Sequence, residues 1–163
     1  MNVSVNVDLQ IACYAESIPD KEVVRGWIED AIRHSAAEAA QQVGVVVRIV
    51  DERESRALNY RFRKKDRATN VLAFPAANGA EIPLLDGDPE RTLGDLAICG
   101  PIVEREAREQ GKSPDRHWAH LLVHGTLHLL GFDHQSEHEA EEMERLETRI
   151  LAARGIDDPY VMS

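Results

Sequence analysis

Residues 124–134 read HGTLHLLGFDH, and the spacing within this stretch decides how the rest of the chain is read. His124 and His128 stand four residues apart. On a helix that is about 400° of rotation and about 6 Å of rise, so both imidazoles project from one face. Gly131 follows three residues after His128, where a glycine can take the left-handed conformation that ends a helix and reverses the chain. The reversal swings His134 back toward the same point. Three neutral imidazoles converging on one spot suit zinc, with copper, iron or nickel as alternatives. Three protein ligands leave a fourth position open for water, the layout of a catalytic rather than a structural ion. The stretch therefore predicts one Zn²⁺ held by His124, His128 and His134 on a zincin-like metal helix.

Neighbouring residues qualify that reading. Asp133 has two open roles: to accept a hydrogen bond from a ligand imidazole and fix its tautomer, or to cap its own turn. His120 also stands four residues from His124, but a 120/124 pair would lack the glycine turn that brings in a third ligand. His117 and His120 are expected to be structural or to support the ligands from behind. His34 and His138 lie among polar helix residues and are expected to be solvated. The pattern His, His four later, Gly seven later, His ten later is that of metzincin proteases, with one decisive difference. Proteases carry a glutamate after the first histidine as general base, and here that position is Gly125. Peptide hydrolysis is disfavoured, and chemistry needing less help with deprotonation is favoured.

Upstream, residues 3–11 alternate apolar and polar as a half-buried strand does. Pro19 and Asp20 mark a helix start, with Val24, Trp27, Ile28, Ala31 and Ile32 at helical spacing and Gly44 as its close. VVVRIV (45–50) is a second strand, and Asp51 caps a short helix to about Arg61 whose apolar side carries Leu58 and Phe62. Residues 69–75 read as a third strand stopped by Pro75, 76–92 as a surface loop, and 94–100 as a fourth strand. Pro101 suits the first turn of a helix to Gln110. Ser113 starts the histidine helix, which runs to Gly131, and 136–154 form a last amphipathic helix. These elements predict an α+β fold, a small mixed sheet of about four strands flanked by helices, with residues 1–163 forming a single domain. Strand order cannot be read from them.

The 163 residues carry a formal net charge of −10, which argues against coating nucleic acid through overall charge. A local basic groove remains open, because Arg61, Arg63, Lys64, Lys65 and Arg67 lie within seven residues. Cys13 and Cys99 are too few for a disulfide framework and read as reduced core thiols of a cytosolic protein. The opening MNVSVNVDLQ lacks a positive region followed by an apolar run, so no signal peptide is expected, and no stretch approaches the roughly 20 apolar residues of a membrane span. Trp27 and Trp118 fall on apolar helix faces and read as core. Aromatics make up 5% of the chain, and no stacking platform for bases is evident.

HGTLHLLGFDH resembles the signature of the YbeY family of bacterial endoribonucleases. LNYRFRKKDRATNVLAFP (58–75), GDLAIC (94–99), HWAHLLVHGTLHLLG and EAEEMERLE (139–147) resemble further blocks of that family, in the right order. The resemblance implies a single-domain zinc hydrolase of the bacterial cytoplasm. It would cut single-stranded RNA in ribosomal RNA maturation, at the small-subunit 3′ end, and in ribosome quality control. RNA and the ribosome or its small subunit are the implied partners, with no membrane. The family's zinc histidines match His124, His128 and His134, and its functional arginine, in a block that usually reads R-G-K-D, matches Arg63. Two positions depart from the pattern: Lys64 replaces the usual glycine and Ala73 a frequent serine.

Zinc lowers the pKa of bound water to about 7, so the missing glutamate is tolerable, and Arg63 is then expected to pair with phosphate oxygens in the transition state. Without the resemblance, Arg63 reads as readily as one surface base among five. Lys65 is expected to contact phosphate without base specificity. Two other readings compete: a zinc hydrolase of another substrate class, and a ribosome-associated assembly factor whose zinc is mainly structural.

Overall fold

The computed structural model describes residues 4–35, 42–76, 91–133, 135–156 and 159. His134, residues 36–41 of the expected first helix and most of the expected 76–92 loop lie outside the described residues. Nine elements follow one another: β1 Ser4–Ile11, α1 Lys21–His34, β2 Gln42–Val50, α2 Glu52–Arg63, β3 Val71–Pro75, β4 Arg91–Cys99, α3 Gly100–Gln110, α4 Pro114–Leu129 and α5 Glu137–Ala152. The strands form one mixed sheet in the order β1-β2-β4-β3. β1, β2 and β4 run parallel, and β3 runs antiparallel along β4 as an edge. The α+β architecture with four strands is as the sequence predicts.

Period-two burial sets the layers. Val5 and Val7 of β1, Val43, Val45, Val47 and Ile49 of β2, and Leu96 and Ile98 of β4 all enter one core with Val24, Ile28 and Ile32 of α1, Leu122 and Leu127 of α4, and Ile150 and Leu151 of α5. Trp27 and Trp118 are buried in it, as expected, and the Trp118 indole donates to Ser17 Oγ at 2.9 Å. A smaller cluster of Val50, Cys99 and Ile102 lies beside Ala68.

The capping residues read from the sequence do cap. Asp20 accepts from Val23 N, Asp51 from Glu54 N and Ser113 from Arg116 N, each satisfying a first-turn N–H that the helix itself leaves open. Both cysteines are free; burial pushes the Cys99 thiol up to about 11, so it stays protonated near neutrality.

Three expectations need correcting. Gly44 does not close α1, which ends at His34; it lies inside β2, where pairing with strands on both sides outweighs glycine's weak strand preference. A register shift against β4 falls beside it, between Gly44 and Val45. The inward side of α2 is not apolar: its buried residues are Ser55 and Asn59, while Phe62 is exposed and packs edge-on against Phe74 at 5.1 Å. His34 is half-buried and donates from Nδ1 to the Asp30 carbonyl at 2.9 Å, rather than being solvated. His138 is exposed, as expected.

Candidate metal centre and basic cleft

α4 lays its hydrophobic residues against the sheet and leaves His120, His124 and His128 only partly buried along one side. Its end is a Schellman motif. Gly131, at φ +100°, lets its own N–H reach the His128 carbonyl at 3.0 Å and the Phe132 N–H reach the Leu127 carbonyl at 3.0 Å. The chain therefore turns back immediately after His128, as the position of Gly131 predicts. His134, the third expected ligand, is not among the described residues.

The two nitrogens of His124 face different partners. Nδ1 lies 2.5 Å from Oε1 of Glu147, so the ring donates there. Nε2 lies 3.2 Å from Nε2 of His128. Two nitrogens bound to one tetrahedral zinc at about 2.0–2.1 Å stand roughly 3.3 Å apart. The His124–His128 pair therefore fits such an ion with little adjustment. Among the described residues, the group of histidine, cysteine and acidic side chains close enough to hold a metal is His120, His124 and Glu147, with ligand atoms within 4.8 Å of one another. Within that group the 2.5 Å Nδ1–Oε1 separation is a hydrogen-bond distance, too short for two atoms sharing an ion.

His120 thus belongs to the site's surroundings, one of the two roles expected for it, whereas Glu147 is a member that the sequence reading left out. His120 Nε2 lies 3.6 Å from Glu147 Oε1. Burial lowers the His120 pKa against the upward pull of Glu147, keeping the ring neutral at pH 7. A third partner for a 120/124 pair does exist, supplied by α5 rather than by a turn of α4. Glu147 is completely buried, between Met143 and Ile150–Leu151 on the inward stripe of α5. That placement was the available signal: a carboxylate at helical spacing within an apolar stripe. His117, by contrast, is structural, donating from Nε2 to Glu106 at 2.8 Å. Burial pushes the Glu106 carboxyl up, but hydrogen bonds from His117 and Asn70 outweigh it and hold the group below the ordinary carboxylate range.

Gly125, where a metzincin carries its glutamate, explains its own identity. A Cβ there would meet Leu96 Cδ2 at 2.8 Å and Val71 Cγ2 at 3.3 Å. A larger residue would require those two side chains to move aside.

The basic segment reaches the histidines through one cleft of about 540 Å³. Arg63, Lys65 and Arg67 line it together with His124, His128 and Asp133, and with Ala73 and Pro75 of the edge strand. Arg63 donates to the Ala73 carbonyl at 2.9 Å, which ties its guanidinium to the edge strand. Lys64 does not line the cleft; it holds a left-handed φ of 60° as the C-cap of α2. The 64–70 loop is folded back by an Arg56–Asp66 ion pair at 2.7 Å, by Asn59 Nδ2 donating to the Arg67 carbonyl at 2.9 Å, and by Ser55 Oγ bonding both the Thr69 carbonyl and N–H.

These features define a class: an α+β protein in which a carboxylate-backed histidine pair fit for a metal ion opens onto a cleft lined with arginine and lysine. A family model described as Endoribonuclease YbeY matches residues 10–155. The chain is 51% identical over 159 residues to the endoribonuclease YbeY of Pseudomonas putida (strain W619), spanning 96% of this chain and 93% of that one. It is 50% identical, with the same coverage, to the endoribonuclease YbeY of Pseudomonas entomophila (strain L48). The fold matches the solution structure of a Thermotoga maritima protein with a TM-score of 0.53 and 25% identity, covering 96% of this chain and 99% of the other. The chain belongs to the endoribonuclease YbeY family. The resemblance drawn from HGTLHLLGFDH and the other blocks is borne out. No helix among the described residues is long and apolar enough to cross a membrane.

Proposed function

We propose that this protein is a zinc-dependent endoribonuclease of the cytoplasm, cutting single-stranded RNA in maturation of the small-subunit rRNA 3′ end and in ribosome quality control. The observation that carries this reading is the sharing of one cleft by the His124–His128 pair and by Arg63, Lys65 and Arg67. Family membership supports the RNA substrate. In this reading His124, His128 and His134 hold the ion. Zinc in that position supplies Lewis acidity toward a phosphoryl group and an acidified water, without a carboxylate base.

The remaining work falls to the chain's own side chains. Arg63 spends one N–H on Ala73 and keeps others for the non-bridging oxygens of the scissile phosphate, where charge builds in the transition state. Lys65 and Arg67 receive neighbouring phosphates and set register without reading bases. With a net charge of −10, the rest of the molecule repels RNA and steers it to this cleft.

The test is to incubate single-stranded RNA, duplex RNA and casein with the wild type, His128→Ala and Arg63→Ala, with and without a chelator. Cutting of single-stranded RNA alone is expected, sensitive to chelator and lost in both variants, with about one zinc per wild-type chain. Casein cleavage would point to the peptidase reading. Ribosome binding without any cutting would point to an assembly factor. A 2′,3′-cyclic phosphate end would identify the 2′-OH rather than water as nucleophile.

A further inference from the structure

We infer that Glu147 is a positioning residue for the metal centre: it fixes His124 as the Nδ1–H tautomer and so turns the Nε2 lone pair toward the ion. This rests on the ligand set proposed above and extends it to a residue of α5. Three observations carry it. Glu147 is completely buried, and its Oε1 takes the His124 Nδ1–H at 2.5 Å. An ionised carboxylate can only accept, so the imidazole must donate at that nitrogen. His124 Nε2, then bare of hydrogen, is the nitrogen that faces His128 Nε2 at 3.2 Å.

The sequence position makes a purely packing role a poor account of this residue. Met143, Ile150 and Leu151 share the inward stripe of α5 with it and are buried apolar side chains. An apolar residue would fill the Glu147 position without the cost of removing a carboxylate from water. The carboxylate is compensated there by imidazoles: His124 at 2.5 Å and His120 at 3.6 Å. Outer carboxylates that hold a ligand histidine also raise its basicity, so their loss weakens metal binding without removing a ligand.

The test compares Glu147→Gln, His120→Ala, His128→Ala and wild type for zinc affinity by chelator competition, with urea unfolding of each metal-free protein. Glutamine keeps the size but is uncharged and can present either its oxygen or its NH2 to Nδ1, so it no longer dictates the His124 tautomer. The expected result is a zinc affinity lowered by about 10- to 100-fold in Glu147→Gln, with the unfolding midpoint of the metal-free protein kept. Wild-type affinity in a folded Glu147→Gln protein would overturn the inference. So would complete loss of zinc in both Glu147→Gln and His120→Ala, which would make Glu147 a ligand. Long-range ¹⁵N NMR of the metal-free wild type needs no variant: His124 should be protonated at Nδ1, and an Nε2–H tautomer would overturn the inference directly. Zinc affinity retained in His128→Ala would sink the proposed ligand set, whereas the NMR reports on the Glu147–His124 bond alone.

Discussion

α4 buries Trp118, Leu121, Leu122, Val123, Leu127 and Leu129, and its site residues are the less buried ones that border the cleft along β3. α2 buries only Ser55 and Asn59, and its site residue, Arg63, sits at an exposed end. Both helices deliver side chains to one cleft, by different physics. The histidines inherit their positions from close packing, which tolerates little displacement. Arg63 and its neighbours inherit theirs from a few hydrogen bonds between a polar helix face and the loop that follows. The metal half of the site is therefore expected to be stiff and the phosphate half adjustable.

Four substitutions can break or sharpen this contrast, all read by urea unfolding beside RNA cleavage. Trp118→Ala should be the most damaging, costing about 3–5 kcal/mol through lost burial and the cavity left behind. A loss under about 1 kcal/mol would mean that α4 is not packed as described. Asn59→Ala should cost about 0.5–1.5 kcal/mol, because a part-buried hydrogen bond to the Arg67 carbonyl is lost. It should also weaken RNA binding while zinc affinity holds; a fall in both would show the two halves to be coupled. Lys64→Gly should run the other way, stabilising by roughly 0.5–1 kcal/mol, since glycine takes a left-handed φ without steric cost. Arg63→Ala should leave stability within about 0.5 kcal/mol yet slow RNA cleavage by roughly 10²-fold. Unchanged cleavage would return Arg63 to the surface charges.

The same contrast explains what could be read in the sequence. HGTLHLLGFDH gave up its geometry because helical spacing and a glycine terminator are local rules, and Gly131 and Ser113 act as those rules require. Helix starts at Asp20 and Asp51 were legible for the same reason. Strand order was not, since β4 enters between β2 and β3 through contacts distant in sequence. Gly44 was misread because flanking strands, not its own preference, decide its conformation. Glu147 escaped because an amphipathic helix is read from its apolar positions, whereas its spacing from Met143 and Ile150 puts this carboxylate inside. Phe62 misled in the opposite sense, an aromatic at helical spacing that stays exposed beside Phe74.

The crowding at Gly125 has an evolutionary consequence. Grafting the protease base onto this scaffold is no single-step change, because a glutamate there would first collide with Leu96 and Val71. Both neighbouring side chains would have to move aside, and that displacement falls on the packing of Leu96, which is buried in the core. A bare α-carbon at this crossing thus adds a packing cost to any acquisition of the protease base.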